Sequence, residues 1–153
     1  MSAVLKATPQ RRPLTETDLP AVMAIENSIY PFPWTLGNFR DSLAAGYSCH
    51  AWALGGELIG YAVVMTAADE AHLLNLSVAT RWQGRGFGSR FLLQLVDVAR
   101  AHRAGLMFLE VRTSNSGGRR LYERHGFQHV GVRRDYYPAP GGREDALILS
   151  LPL

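Results

Sequence analysis

Between an apolar run, Leu73 to Val78, and an amphipathic stretch that begins at Phe91 lies Gln83-Gly84-Arg85-Gly86-Phe87-Gly88, three glycines within five residues. Such a segment suits neither a strand nor a helix interior, so the chain must turn there, from an extended element into the start of a helix. Two readings fit the turn. Glycine at a strand-to-helix corner often does no more than make the corner. Alternatively the backbone approaches an anion closely, its N–H groups facing inward, while the new helix adds four unpaired donors and the positive end of its dipole. On that reading the turn is a pyrophosphate cradle, to which Arg81, Arg85 and Arg90 add fixed charge.

Charge placement favours an anion in this half of the chain. Residues 81 to 143 hold twelve arginines against Asp97, Glu110, Glu123 and Asp135, whereas the first eighty residues carry four basic and seven acidic groups. Nucleic acid is one candidate partner and a polyphosphate cofactor another. At 153 residues and 47% hydrophobic content, the chain suits one domain over residues 11–153, burying roughly 68–70% of its unfolded surface without disulfide or metal. Residues 1–10 read as a flexible extension. No apolar run approaches the length of a membrane span, and the N-terminus lacks a basic segment leading into an apolar signal core; the expectation is a cytoplasmic protein with no membrane contact. The single cysteine, Cys49, permits no internal disulfide and reads as a small filler in a buried strand.

The rest of the chain alternates short elements. A brief strand around Arg11 to Leu14 leads to a helix capped by Thr17, with Pro20 in its first turn and Leu19, Val22, Met23 and Glu26 at helical spacing. Pro31-Phe32-Pro33-Trp34 is irregular, because each proline denies helix to the residue before it. Thr35 caps a helix with Leu36, Phe39 and Leu43 on one face, ended by Gly46. Ser48–Leu54 and Glu57–Thr66 flank Gly55-Gly56, a hairpin signal, and a third strand runs from Ala71 to Val78. Its alternation puts His72, Leu74, Leu76 and Val78 on one face, and Leu73, Asn75 and Ser77 on the other. After the glycine turn a helix bearing Phe91, Leu92, Leu95, Val96 and Ala99 is closed by Gly105. Leu106–Arg112 is a strand, Thr113-Ser114-Asn115 offers caps for a helix through Tyr122 stopped by Gly126, and a hairpin from Phe127 to Leu151 turns at Pro138-Ala139-Pro140-Gly141-Gly142. This order predicts an α/β (α+β) fold, a mixed sheet flanked by helices.

Glu110 lies among apolar neighbours in Leu109-Glu110-Val111-Arg112, where a carboxylate is costly unless paired or solvated. It is either one half of an ion pair, with Arg112 or another arginine, or a general base with access to a cleft. Tyr122 is either a packing residue or an acid; a phenol of pKa about 10 suits protonation of a leaving thiolate of pKa about 8–9. Asn115 serves as a cap or contacts a ligand. Tyr136, Tyr137, Phe32 and Trp34 are either an aromatic mouth for a peptide or ordinary packing. The five histidines show no metal-ligand spacing, and neither Cys-x-x-Cys nor Gly-x-Ser-x-Gly occurs, so no metal site and no serine-triad hydrolysis are expected.

Taken together, Gln83–Gly88, Leu109-Glu110-Val111-Arg112, Ser114-Asn115, Leu121-Tyr122-Glu123 and Gly126-Phe127 resemble the acetyl-CoA-dependent N-acetyltransferases of the GNAT superfamily. Pro31-Phe32-Pro33-Trp34, Asn75-Leu76-Ser77-Val78, Arg133–Pro138 and Gly142–Ala146 are similar to its bacterial branch of ribosomal-protein-alanine N-acetyltransferases. The resemblance runs from about Pro13 to Leu153. It implies the GNAT fold, a mostly antiparallel mixed sheet of about seven strands with about four helices. It also implies acetyl-CoA as co-substrate, its pyrophosphate on Gly84, Arg85, Gly86, Phe87, Gly88 and Ser89, and backbone contacts from Leu76, Ser77 and Val78 to pantetheine and thioester. By the same likeness Asn115 is a cofactor contact, Glu110 the base and Tyr122 the acid. The acceptor it implies is the N-terminal alanine of a ribosomal small-subunit protein, with no direct nucleic-acid binding required. Relatives often have proline where this chain has Thr80. The rival readings are a GNAT enzyme for another amine (lysine, polyamine or a small molecule), a non-catalytic acyl-CoA-binding or RNA-binding module, and a dinucleotide-binding domain. The last is disfavoured because Gly84, Gly86 and Gly88 fall one residue short of the G-x-G-x-x-G spacing.

Overall fold

The computed structural model describes residues 8–153; most of the expected N-terminal extension lies outside the described residues. Seven strands and four helices follow in the order β1 (Gln10–Pro13), α1 (Leu19–Ile29), α2 (Leu36–Ala44), β2 (Ser48–Leu54), β3 (Glu57–Ala67), β4 (Glu70–Val78), α3 (Phe87–Ala101), β5 (Leu106–Arg112), α4 (Ser116–Arg124), β6 (Gln128–Ala139) and β7 (Gly142–Pro152). The sheet order is β1-β2-β3-β4-β5-β7-β6. β4 and β5 pair in parallel, Glu70 with Leu106 through Leu73 with Leu109, while β1–β2, β5–β7 and β6–β7 are antiparallel. This is the expected mixed α/β sheet of the GNAT type. Among the described residues no helix is long and apolar enough to cross a membrane.

By contact the chain divides into two compact units, which β3 and β4 each traverse. The first holds the described residues up to Val63 together with Asn75–Phe87. Its core gathers Leu14, Leu19, Val22, Phe39, Cys49, Ala51, Tyr61 and Val63, with Trp34 and Leu43 packed against them. Burial raises the Cys49 thiol pKa above its ordinary value, consistent with a packing role for it. Gln10, the last residue of the expected extension, already pairs with Ala53. α2 begins as expected, with Thr35 Oγ1 accepting from Asn38 N at 3.1 Å, but Leu36 is exposed and only Phe39 and Leu43 face the core.

The cap expected at Thr17 is instead at Thr15, and it opens a single 3-10 turn, Glu16–Asp18, ahead of α1. The Asp18 carboxylate reaches back to Thr15 N at 2.8 Å and accepts from both terminal guanidinium nitrogens of Arg12, Nη2 at 2.7 Å and Nη1 at 2.8 Å. The chain therefore turns two residues earlier than the helical pattern alone suggests.

The second unit holds Val64–Leu74 and Gly88–Leu153. α3 buries Phe91, Leu92, Leu95, Val96 and Ala99 on one face. β5 buries Met107, Leu109 and Val111, which leaves Phe108, Glu110 and Arg112 half-buried on the opposite face. α3 is not closed by Gly105. It ends at Ala101 and Arg103 takes the left-handed conformation, φ 61°, with Ala104 N donating to Ala99 O at 3.0 Å. Those bonds satisfy the last carbonyls of the helix before Gly105 is reached. The final hairpin is longer than expected: Tyr137 pairs with Glu144 and Ala139 with Gly142, so the turn narrows to Pro140-Gly141. Farther back the ladder is irregular between Arg133 and Tyr137, where Asp135 adopts φ 50°.

Candidate active site

In the first unit, the turn after β4 takes the shape its sequence requires. Gly84 and Gly86 have φ 75° and 84°, and a Cβ on either would meet nothing within 4 Å. Side chains would be strained there, yet the space in front of the backbone is open. The turn is braced from behind. Gln83 Nε2 donates to Val78 O at 2.9 Å, tying the turn to the end of β4. Trp82 Nε1 donates to Glu57 Oε2 at 3.2 Å, and the guanidinium carbons of Arg81 and Arg85 lie 5.0 and 4.9 Å from the Trp82 ring centre. The indole face thus carries both cations. Trp82 is not among the expected site residues; its position between Arg81 and Arg85 is the sequence signal for its role. Phe87 opens α3, with its ring 6.1 Å from that of Trp82.

Leu76 and Val78 are half-buried at the end of β4, and Ser77 is 2% exposed. The Ser77 hydroxyl donates to Asn75 Oδ1 at 2.8 Å, so the Tyr30 hydroxyl, 2.7 Å away, donates to it. Behind them Glu26, 2% exposed on α1, accepts from the Tyr61 hydroxyl at 2.7 Å, Trp34 N at 2.9 Å and Asn75 Nδ2 at 3.3 Å. Helical spacing had put Glu26 on the inner face of α1, but which donors it meets is a tertiary fact. Burial, reinforced by the Glu26 charge, pushes the Tyr61 phenol far above its ordinary value, so it serves as a donor. Trp34 packs on Phe39, with ring centres 5.1 Å apart, and is a packing residue, whereas Phe32 is 41% exposed.

In the second unit, Gly88 and Ser89 form the first turn of α3. A Cβ on Gly88 would touch Leu121 of α4 at 3.5 Å, and Ser89 Oγ lies 2.9 Å from Nε2 of His125. The start of α3 is therefore fastened to the helix that carries Tyr122. Tyr122 is half-buried, its ring edge-on to Phe127 at 5.7 Å. Asn115 caps α4: its Oδ1 accepts from Gly118 N at 2.9 Å, and a Cβ on Gly118 would fall 2.6 Å from Asn115 Nδ2.

Glu110 has an arginine partner, though not its neighbour on the strand. Arg133 Nε on β6 is 3.4 Å from Glu110 Oε1, with the Glu110 side chain 28% exposed. The Tyr136 phenol is near enough to this carboxylate for the Glu110 charge to act on it. Arg112 turns away to Glu144 Oε1 at 2.9 Å and Pro138 O at 2.6 Å, beneath the Tyr137 ring. Burial raises the Tyr136 and Tyr137 phenols above their ordinary value, with the Glu110 charge adding to it, so both remain neutral donors near the carboxylate. Among the described residues no group of three or more His, Cys, Asp or Glu side chains is arranged to hold a metal.

The Acetyltransferase (GNAT) family model matches residues 19–127. The chain is 36% identical over 140 residues to the ribosomal protein bS18-alanine N-acetyltransferase of Escherichia coli (strain K12), covering 92% of this chain and 95% of that one. It is also 36% identical over 135 residues to the N-alpha-acetyltransferase RimI of Mycobacterium tuberculosis, covering 84% of each. The crystal structure of the ribosomal-protein-S18-alanine N-acetyltransferase from Escherichia coli matches with a TM-score of 0.88 at 35% identity, over 95% of this chain and 94% of that one. With the glycine turn leading into α3, the strand order and these matches in agreement, the chain belongs to the GNAT family of acetyltransferases.

Proposed function

We propose that the chain is a protein N-alpha-acetyltransferase that moves acetyl from acetyl-CoA to the N-terminal alanine amine of a ribosomal small-subunit protein, by direct attack in a ternary complex. One observation carries the reading: over 92% of its length the chain aligns with an enzyme named for that reaction. Open space before Gly84 and Gly86, with Arg85 alongside on Trp82, supports a diphosphate at this turn. α3 begins at Phe87, directly after this turn, so the positive end of its dipole adds to the attraction for an anion there. Since the Ser77 hydroxyl is engaged with Tyr30 and Asn75, Leu76, Ser77 and Val78 offer the pantetheine and thioester their backbone rather than side chains. Asn115 is assigned a further cofactor contact beside its cap.

The acceptor amine attacks only as free base. With a pKa of about 7.8, roughly a tenth of α-amines are neutral at pH 7, against well under about a thousandth of lysine amines, so a modest base suffices. Glu110 takes the proton, directly or through a water, as nitrogen bonds to the thioester carbonyl carbon. Backbone N–H groups of β4 stabilise the oxyanion, and Tyr122 protonates the departing thiolate as the carbon–sulfur bond breaks. Direct attack needs no metal and no covalent enzyme intermediate, and the reaction belongs in the cytoplasm with its protein substrate.

The test is acetylation of a peptide that begins with alanine, beside its N-blocked form and a peptide offering only lysine. Transfer to the first alone is expected; transfer to the blocked or lysine peptide at equal rate overturns the acceptor assignment.

A further inference from the structure

α4 has no fully buried side chain, and Leu121 and Tyr122 are half-buried, so polar contacts at its ends contribute to where it lies. At the C-terminal end are the His125–Ser89 bond and the Tyr122–Phe127 ring contact. At the N-terminal end the connector from β5 is short, Thr113-Ser114-Asn115, and its polar groups converge on one carboxylate of β7. Glu144 accepts from Ser114 Oγ at 3.0 Å, Ser114 N at 3.2 Å, Thr113 Oγ1 at 3.2 Å and Arg112 Nη1 at 2.9 Å. Its neighbour Asp145 extends the grip: Asp145 O accepts from Thr113 N at 3.3 Å, and Asp145 Oδ1 from Asp135 N at 2.9 Å at the irregularity of β6. The motif Gly142-Arg143-Glu144-Asp145-Ala146, which carried resemblance but no role in the sequence, therefore clamps the connector.

We propose that Glu144 is a positioning residue: by fixing the Thr113–Asn115 connector it sets where Tyr122 on α4 stands relative to Glu110 on β5. The inference rests on the assignment of Tyr122 as acid and Glu110 as base. Leverage makes the clamp matter. Tyr122 is the seventh residue of α4, about 9 Å along the axis from its start, so a tilt of about 10° moves it by about 1.5 Å. A misplacement of about 1 Å can cost about a hundredfold in rate. A carboxylate is suited to the task because it accepts several donors at once, including a guanidinium, where an amide oxygen accepts fewer and carries no charge.

The experiment is a double-mutant cycle on the full chain. Turnover and KM for both substrates are measured for wild type, Glu144→Ala, Tyr122→Phe and the double variant, with thermal melting and acetyl-CoA calorimetry on each. Glu144→Gln replaces Glu144→Ala if the latter does not fold. Glu144→Ala is expected to lower kcat by about tenfold or more, with a smaller loss of acetyl-CoA affinity because Asn115 lies on the same connector. The double variant is expected to lose little beyond Tyr122→Phe alone, because a misplaced acid and an absent acid are equivalent. Additive losses, or an unchanged kcat with only a lower melting temperature, overturn the inference. Full turnover in Tyr122→Phe overturns the acid assignment itself. A drop in Tyr122→Phe without one in Glu144→Ala overturns only the positioning role.

Discussion

Arg133 Nε stands 3.4 Å from Glu110 Oε1, while Arg112, two residues along the same strand, pairs with Glu144 at 2.9 Å. Each carboxylate thus has its own arginine. Glu144 accepts from the connector at Thr113 and Ser114; Glu110, 28% exposed, is the proposed base. Glu110→Gln is expected to lower kcat by about 10²- to 10⁴-fold, the usual contribution of a general base, with acetyl-CoA affinity within about twofold. Steady-state kinetics with calorimetry checks this, and normal turnover rules Glu110 out as the base.

Arg85 is expected to act on binding alone. Its guanidinium is held on Trp82 beside the glycine turn, so Arg85→Ala should weaken acetyl-CoA binding by about three- to tenfold, the scale of one partly exposed ion contact. The pH profile of kcat should not move. Trp82→Ala should reproduce part of the loss by releasing Arg85. Normal affinity with a shifted pH profile would contradict the cradle.

Glu26→Ala leaves the Tyr61 hydroxyl and Trp34 N–H without their acceptor. With Asn75 Nδ2 also losing Glu26, the stranded donors are expected to destabilise the fold by about 2–4 kcal/mol. Urea unfolding measures it, and a change within about 0.5 kcal/mol would show that the carboxylate is dispensable.

Gly118→Ala carries a diagnostic sign. In an ordinary helix the change stabilises by up to about 1 kcal/mol. Here the new Cβ would fall 2.6 Å from Asn115 Nδ2, displacing the cap, which is worth about 0.5–2 kcal/mol. Melting should therefore move down, and Asn115→Ala in the same background should add little. A rise in melting temperature would refute the cap.

Much of this architecture is legible in the sequence because it is local. Apolar periodicity, the Gly55-Gly56 turn, Thr35 and Asn115 as caps, and the strand-turn-helix around Gly84–Gly88 each depend on near neighbours. Where the structure departs from expectation, the cause is a side-chain pairing or a backbone conformation that apolar periodicity does not show. Thr15 rather than Thr17 is the cap because Asp18 completes a capping box with it and also takes Arg12. Gly105 was not needed because Arg103 accepts the left-handed conformation once α3 is packed. The site divides in the same way. The resemblance assigns Glu110 and Tyr122 as base and acid, but the identity of the arginine on Glu110 and the connector clamp at Glu144 arise from side chains far apart in sequence. No period or spacing encodes those.

Acid sensitivity follows from two carboxylates. Arg12, with Thr15, holds the Asp18 carboxyl below its ordinary value, and Arg112, with Ser114 and Thr113, does the same for Glu144. A depressed pKa means the folded state binds protons less readily than the unfolded chain, so their stabilisation is complete above the unfolded values, 3.8 and 4.5, and is lost as pH falls through the depressed ones. Melting temperature should be insensitive to these groups from about pH 8 to 5 and fall below about pH 4.5. Asp18→Asn and Glu144→Gln should each flatten that acid limb; an unchanged limb in both would contradict the assignment.

The most direct measurement is mass spectrometry of a peptide copying the N-terminus of the ribosomal small-subunit protein, incubated with acetyl-CoA and either wild type or Glu110→Gln. The account predicts one acetyl group on the α-amine of the first alanine with wild type and almost none with Glu110→Gln. An unmodified peptide with folded wild-type enzyme that binds acetyl-CoA, or equal modification by both proteins, would contradict it.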